Sequence, residues 1–286
     1  MSDPALEPLR QFLRDGRNPD GGWGYYRGKS SRLEPTCWAL LALGVEGSSG
    51  DLLRRWPVNG GLLLEHNGGE PNVGFHGVAL LALRALGIEH EKGNAALVSS
   101  VQQIKGITLE PTPFLKQDNT LQAWPWVAGT FSWVEPTAWC LLALKVWATT
   151  MPAAIDRSRV EVAERLLIDR CCRDGGWNYG NAEVMGQQLK PFVPTTAVAL
   201  LAMQDRTSHP VIERSRQYLA GHATSERSGV ALALSLLALR AVHLAVDGPR
   251  EALREQLPTI LAIGNHTSAA LALYALGGER NAALVL

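Results

Sequence analysis

One short unit recurs along this chain and limits what it can fold into more than any other feature. It stands at Pro19-Asp-Gly-Gly-Trp-Gly-Tyr25 and again at Arg173-Asp-Gly-Gly-Trp-Asn-Tyr-Gly180, each time followed, after a polar gap, by a Thr and an Ala/Leu-rich segment. Adjacent glycines admit positive φ and close backbone approach, Asp forms turns, and Trp is a large apolar plug. The unit therefore reads as a turn with an anchor, a joint between two helices rather than a catalytic site.

The Ala/Leu-rich segments themselves repeat. Thr36-Cys-Trp-Ala-Leu-Leu-Ala-Leu43, His76-Gly-Val-Ala-Leu-Leu-Ala-Leu83, Thr137-Ala-Trp-Cys-Leu-Leu-Ala-Leu144 and Thr196-Ala-Val-Ala-Leu-Leu-Ala-Met203 match almost position for position, with looser members ending at Leu239 and Leu276. Their ends fall between 36 and 61 residues apart, room for two helices and their connections in each unit. Between them lie segments with one apolar stripe: 6–14, 51–55, 95–104, 155–172, 211–219 and 249–261. A helix apolar on most sides must be buried all round, whereas a striped helix covers it. Six such pairs predict an all-α fold, an inner ring wrapped by an outer one, as a single domain over residues 1–286. Pro35, Pro136 and Pro194 fit the starts of the apolar helices, and Gly44, Gly87 and Gly277 fit their ends. Residues 106–134 are irregular, rich in proline and aromatics, and fit a lid or short hairpin.

Charge narrows the function classes. With 27 basic and 27 acidic residues the formal net charge is zero, so neither nucleic acid nor an anionic membrane surface is an expected partner. Cys37, Cys140, Cys171 and Cys172 have no disulfide-framework spacing, and the acidic N-terminus lacks a signal-peptide core; together they predict a cytoplasmic protein with free thiols. The most apolar window, 229–246, carries Arg240 and His243 and reads as a buried helix, not a membrane span.

With the Asp-Gly-Gly-Trp turns and the Thr-x-x-Ala-Leu-Leu-Ala-Leu helices on the page, the chain resembles the prenyltransferase and squalene oxidase repeat family. That family includes the triterpene cyclases and the β subunits of protein prenyltransferases. The resemblance implies a single α/α toroid (an α6/α6 barrel) whose inner helices line a central apolar cavity for an isoprenoid. It also leaves peripheral membrane contact and a partner protein open, because relatives use two barrels or a second subunit. Two departures stand out: the cyclase Asp-x-Asp-Asp acid motif is absent, and Arg17 and Cys171 occupy the place of the usual repeat glutamine. Asp169-Arg-Cys171 with His266 echoes the zinc ligands of the protein prenyltransferases, but at the end of an outer helix, so no metal is expected. No cofactor is expected either: the Gly-Gly pairs lack the Lys-Ser/Thr ending and preceding strand of phosphate loops.

Candidate chemistry gathers at the inner-helix starts. Glu34-Pro-Thr-Cys-Trp38 and Glu135-Pro-Thr-Ala-Trp139 place a carboxylate and an indole four residues apart, on one helical face. If that face lines the cavity, Glu34 and Glu135 are general acids, and Trp38 and Trp139 stabilise a cation. Thr36 and Thr137, on the same turns, are the accompanying substrate contacts. His76, in the column that elsewhere holds Thr, is a third candidate acid or base. The competing reading is structural: helix-start carboxylates that interact with the helix dipole, and a hydrogen-bonded His. A non-catalytic lipid-binding protein or a protein-interaction scaffold on the same toroid is the alternative function.

Overall fold

The computed structural model describes residues 3–45, 49–112, 114, 116–277 and 281–286. Thirteen α-helices are present among them: α1 (Glu7–Asp15), α2 (Leu33–Leu43), α3 (Ser49–Arg54), α4 (His76–Leu86), α5 (Asn94–Gln103), α6 (Val134–Ala148), α7 (Arg157–Asp169), α8 (Val193–Ala202), α9 (Pro210–His222), α10 (Gly229–Ala241), α11 (Asp247–Glu255), α12 (Leu257–Ile263) and α13 (His266–Leu276). Short 3-10 turns and two minimal antiparallel hairpins accompany them. One pairs β1 (Val58–Asn59) with β2 (Leu62–Leu63), Val58 opposite Leu63; the other pairs β3 (Glu183–Val184) with β4 (Gln187–Gln188), Glu183 opposite Gln188.

Six helices, α2, α4, α6, α8, α10 and α13, pack each against the next, and α13 closes back onto α2. This closed ring is the barrel wall. Nearly every side chain on these helices is buried, as their all-round apolar character requires. The striped helices lie outside, α3 on α2, α5 on α4, α7 on α6, α9 on α8 and α11 on α10, while α1 comes round to cover α13. The segment 249–261, expected as one piece, is divided between α11 and α12, with Gln256 between them.

The turn unit joins an outer helix to the inner helix that follows it in the chain. Gly21 and Gly175 sit at φ of 94° and 93°, where a side chain is strained. Asp20 accepts from the Gly22 amide at 3.0 Å and from the Ser31 hydroxyl at 2.7 Å, which fixes the turn. The turn tryptophan then ties two elements together. Trp23 donates its indole N–H to the Leu13 carbonyl at the end of α1, while its backbone N–H donates to the Thr36 hydroxyl inside α2, at 3.0 Å. Trp177 does the same between Leu167 and Thr196, and Trp124 between Val101 and Thr137. Each tryptophan thus covers a late carbonyl of an outer helix, where the intrahelical ladder runs out.

The two ends of the barrel differ. At the C-terminal ends of the inner helices, a 3-10 turn at Asn281–Leu284 packs on α4, α6 and α10 and buries Ala283 and Leu284. Gln204, just beyond α8, donates to the Leu284 carbonyl and accepts from the Leu286 amide. At the N-terminal ends the wall is laced by the loops: Leu33 N–H donates to the Glu65 carbonyl, Val134 N–H to Tyr179, and His266 N–H to Tyr25. The window 229–246 contains the inner helix α10, and among the described residues no helix is long and apolar enough to cross a membrane. Among the described residues the 106–134 segment holds no hairpin; an isolated bridge between Ile107 and Phe131 closes it.

Candidate functional site

On the barrel axis, at the N-terminal ends of the inner helices, lies a half-open cavity of about 240 Å³. Glu34 and Trp38 enter it from α2, Glu135 and Trp139 from α6, Val230 and Leu234 from α10, and Leu271 from α13. Helices α2 and α6 flank α4 in the ring and both turn these side chains toward the axis. Trp38 and Trp139 meet there edge to face, centroids 5.6 Å apart, with Tyr274 at 6.1 Å from Trp38. Aromatic rings therefore form the floor, and the two carboxyl groups stand one helical turn above it.

The carboxyl groups are not equivalent. Glu34 accepts a 2.7 Å hydrogen bond from the Tyr25 hydroxyl. Burial pushes Glu34 up to about 7; the Tyr25 hydrogen bond pulls it down, and the negative charges of Glu135 and Glu65 push it further up. Glu34 is thus poised between protonated and ionised at neutral pH. Burial also raises Tyr25, reinforced by the Glu34 charge, so this phenol keeps its proton. Glu135 is raised by burial too. The Trp139 indole N–H leans toward it and offsets part of that rise, but falls short of a full hydrogen bond, and Trp139 Nε1 stays without a partner.

Tyr25 was not among the candidates read from the sequence, although its position held the signal. It lies two residues beyond the turn tryptophan, and the same place beside Glu135 is Trp126. Trp126 does not reach for the carboxylate. It packs edge to face on Phe75, centroids 5.3 Å apart, over Gly74, where any side chain would collide with its ring. Phe75 in turn lines the cavity.

The remaining candidates lie elsewhere. Thr36 and Thr137 face the outer layer, fully buried, each hydroxyl accepting from one turn tryptophan amide and donating to the same residue's carbonyl. They are parts of the frame and not among the cavity's lining residues, which corrects the expectation that they contact a substrate. His76 is corrected in the same way. Its Nδ1 accepts from the Leu63 amide at 3.4 Å, the same thirteen-residue relation that links Trp23 to Thr36, so it stands in for the threonine. Burial, reinforced by His90, lowers it to about 3 and keeps it neutral, away from the cavity. Asp169, Cys171 and His266 do not converge: Asp169 pairs with Arg170, and His266 Nδ1 faces the Gly24 carbonyl at 2.7 Å. Among the described residues no three His, Cys, Asp or Glu side chains form a metal-binding group.

A vestibule of about 480 Å³ adjoins the cavity, sharing Tyr25 and Asn265 and adding Tyr26, Lys29, Ser30 and Arg32. Arg32 is paired with Glu65 at 3.3 Å.

No protein-family model and no curated protein matches the chain by sequence. Solved structures do match in fold. A protein from Actinoplanes is similar with a TM-score of 0.59 at 16% identity, covering 97% of this chain and 98% of that one. The type II terpene cyclase MstE from Scytonema, determined with geranylgeranyl dihydroxybenzoate as substrate, is similar with a TM-score of 0.57 at 14% identity over 98% and 97%. The ent-copalyl diphosphate synthase from Streptomyces platensis is similar with a TM-score of 0.53 at 16% identity, over 86% of this chain and 50% of that chain. The all-α ring of six inner helices is therefore the toroid fold of the type II terpene cyclases.

Proposed function

We propose that the protein takes the apolar end of an isoprenoid or polyprenyl chain into the axial cavity and initiates carbocation chemistry there with Glu34 as the acid. The observation that carries this reading is a carboxyl group held near neutrality above an indole floor. The Glu34 proton passes to a substrate alkene carbon, whose π electrons form the new C–H bond and leave a tertiary cation. Trp38 and Trp139 lie beneath it, and a cation over an indole face gains about 0.5–2 kcal/mol. A second alkene of the same chain then attacks the cation, forming a C–C bond. Loss of a neighbouring proton to Glu135 ends the sequence. Tyr25 holds the Glu34 carboxyl in place and gives one of its oxygens a donor.

Ligand pockets commonly span about 300–1,000 Å³. The cavity alone holds less, so the chain's remainder lies in the vestibule. The fold likeness to cyclases supports the substrate class, and the four unpaired cysteines support a cytoplasmic setting.

The test is incubation with C10 to C20 prenyl alcohols and diphosphates, with products read by mass spectrometry and binding by native mass spectrometry. Conversion that disappears in Glu34→Gln while binding persists is the expected result. Binding without conversion, in wild type and variant alike, would replace the enzyme with a lipid carrier. Failure to bind any of these chains would overturn both and favour a protein-interaction scaffold.

A further inference from the structure

A cleft of about 280 Å³ opens on the outer layer of the barrel, between the loop that follows α5, the 120–122 stretch and the first turns of α7. It shares no lining residue with the axial cavity or its vestibule. Three cationic side chains line it, Lys105, Arg159 and Arg165, and no carboxylate does.

The acids nearby are committed elsewhere. On α7, Glu164 pairs with Lys145 and Arg206, and Asp169 pairs with Arg170. Asp156 turns onto Ser158, accepting from its amide at 2.9 Å and from its hydroxyl at 2.7 Å, and so caps the start of α7. Asp118 does the same with Thr120, at 2.9 Å and 2.5 Å. Among the described residues none of the three cations of the cleft makes an ion pair.

These cations divide into one that is fixed and two that are accessible. Arg159 is 4% exposed and anchored in the wall: Nη1 donates to the Gln122 carbonyl, Nη2 to the Ile104 carbonyl at 2.7 Å, and the guanidinium lies 4.3 Å over the Trp124 ring. All of those partners are neutral, so its positive charge is left facing the cleft. Burial lowers the Arg159 pKa, with Cys140 and Asp156 acting in the opposite direction. Lys105 and Arg165 are exposed, and neither makes a side-chain hydrogen bond among the described residues. Their donors are open to a ligand.

We propose that this cleft binds a small phosphate-type dianion, as the free ion or a monoester. The Arg165 fork and the Lys105 ammonium donate to its oxygens, while Arg159 supplies a fixed positive potential from the wall. The dipole at the start of α7 is already met by Asp156, so recognition falls to the side chains. The volume lies below the roughly 300–1,000 Å³ usual for larger ligands and fits a small anion. The site stands independently of the acid chemistry proposed for the axial cavity.

Calorimetric titration at low ionic strength, where surface charges are least screened, tests this with inorganic phosphate, methyl phosphate and, as a monoanionic control, nitrate. Wild-type protein is expected to bind phosphate saturably and at least about tenfold tighter than nitrate. Lys105→Gln and Arg165→Gln should each weaken phosphate about tenfold, and the double variant should abolish saturation. Arg165→Lys, which keeps the charge and loses the fork, should recover only part of the affinity. Arg157→Gln removes an exposed cation from the first turn of α7, outside the cleft, and should change nothing. Whichever of phosphate and methyl phosphate binds tighter names the natural form, free ion or ester. No saturable phosphate binding by wild type, nitrate bound as tightly as phosphate, or an equal loss in Arg157→Gln would each overturn the proposal, and the first two results depend on no variant.

Discussion

The two copies of Glu-Pro-Thr-x-Trp, at 34–38 and 135–139, begin alike and end differently. Their threonines do the same work: each bridges both backbone groups of a turn tryptophan, Trp23 or Trp124, and each tryptophan reaches back to an outer helix. Their indoles meet as one floor. Their glutamates part company because the residue two places after each turn tryptophan differs. Tyr25 donates to Glu34, while Trp126 turns to Gly74 and Phe75 and leaves Glu135 without a hydroxyl partner among the described residues. What the copies share holds the barrel. Where they diverge, two chemically identical side chains acquire different partners, a phenol hydroxyl for Glu34 and an indole N–H that falls short of a hydrogen bond for Glu135.

This division can be broken most sharply at the tryptophans. Trp23→Ala and Trp124→Ala should each lose about 3–5 kcal/mol by urea unfolding, alike in size, because both vacate fully buried anchors of the same joint. A several-fold disparity between them would mean that the two joints are not equivalent. Next in size is the pair of carboxyl substitutions. Glu34→Gln should reduce kcat/KM for a converted prenyl substrate by about 10²–10⁴, the usual range for a lost general acid, and Glu135→Gln by less. Equal losses would erase the distinction between donor and acceptor.

Thr36→Val and Thr137→Val come third. Each leaves a buried tryptophan amide without its hydroxyl partner, at about 1–3 kcal/mol of stability, with little effect on ligand binding. A lost ligand affinity without lost stability would restore these threonines to the cavity. The smallest expected effect is on pH. Tyr25→Phe removes the hydrogen bond that favours ionised Glu34, so the alkaline limb of the pH–rate profile should move up, whereas Glu135→Gln removes a repelling charge and should move it down. Stability carries the same signature. Glu34 binds its proton more tightly in the folded chain than in the unfolded one, so its contribution is full below about pH 4.5 and falls as pH rises toward about 7. That part of the decline should vanish in Glu34→Gln.

Periodicity made the barrel legible because an inner helix must be apolar all round and an outer one striped; the segments ending at Leu43, Leu83, Leu144 and Met203 became α2, α4, α6 and α8 within a turn. Two joints were harder to see. Gly60–Leu63 and Leu121–Trp124 do the work of Asp-Gly-Gly-Trp without its sequence, since what the frame needs there is a backbone amide thirteen residues before the side chain at 76 or 137. The glutamates and tryptophans of the site showed through their four-residue spacing. Thr36, Thr137 and His76 misled because helical position alone does not say whether a side chain faces the axis or the outer layer. Tyr25 stayed hidden because its partner is nine residues away across a loop, a relation that no helical or strand period encodes. The basic cleft left no trace in periodicity, because Lys105 comes from a loop and Arg159 and Arg165 from α7.

The turn at Asn281–Leu284 makes the barrel a flask rather than a pipe. With Leu284 seated among α4, α6 and α10 and the tryptophan floor above it, the axis is closed at this end among the described residues. Whatever goes in tail first must come out tail last. A product made at the bottom stands between the next substrate and the acid until it leaves, so each turnover proposed here includes one exchange at the mouth.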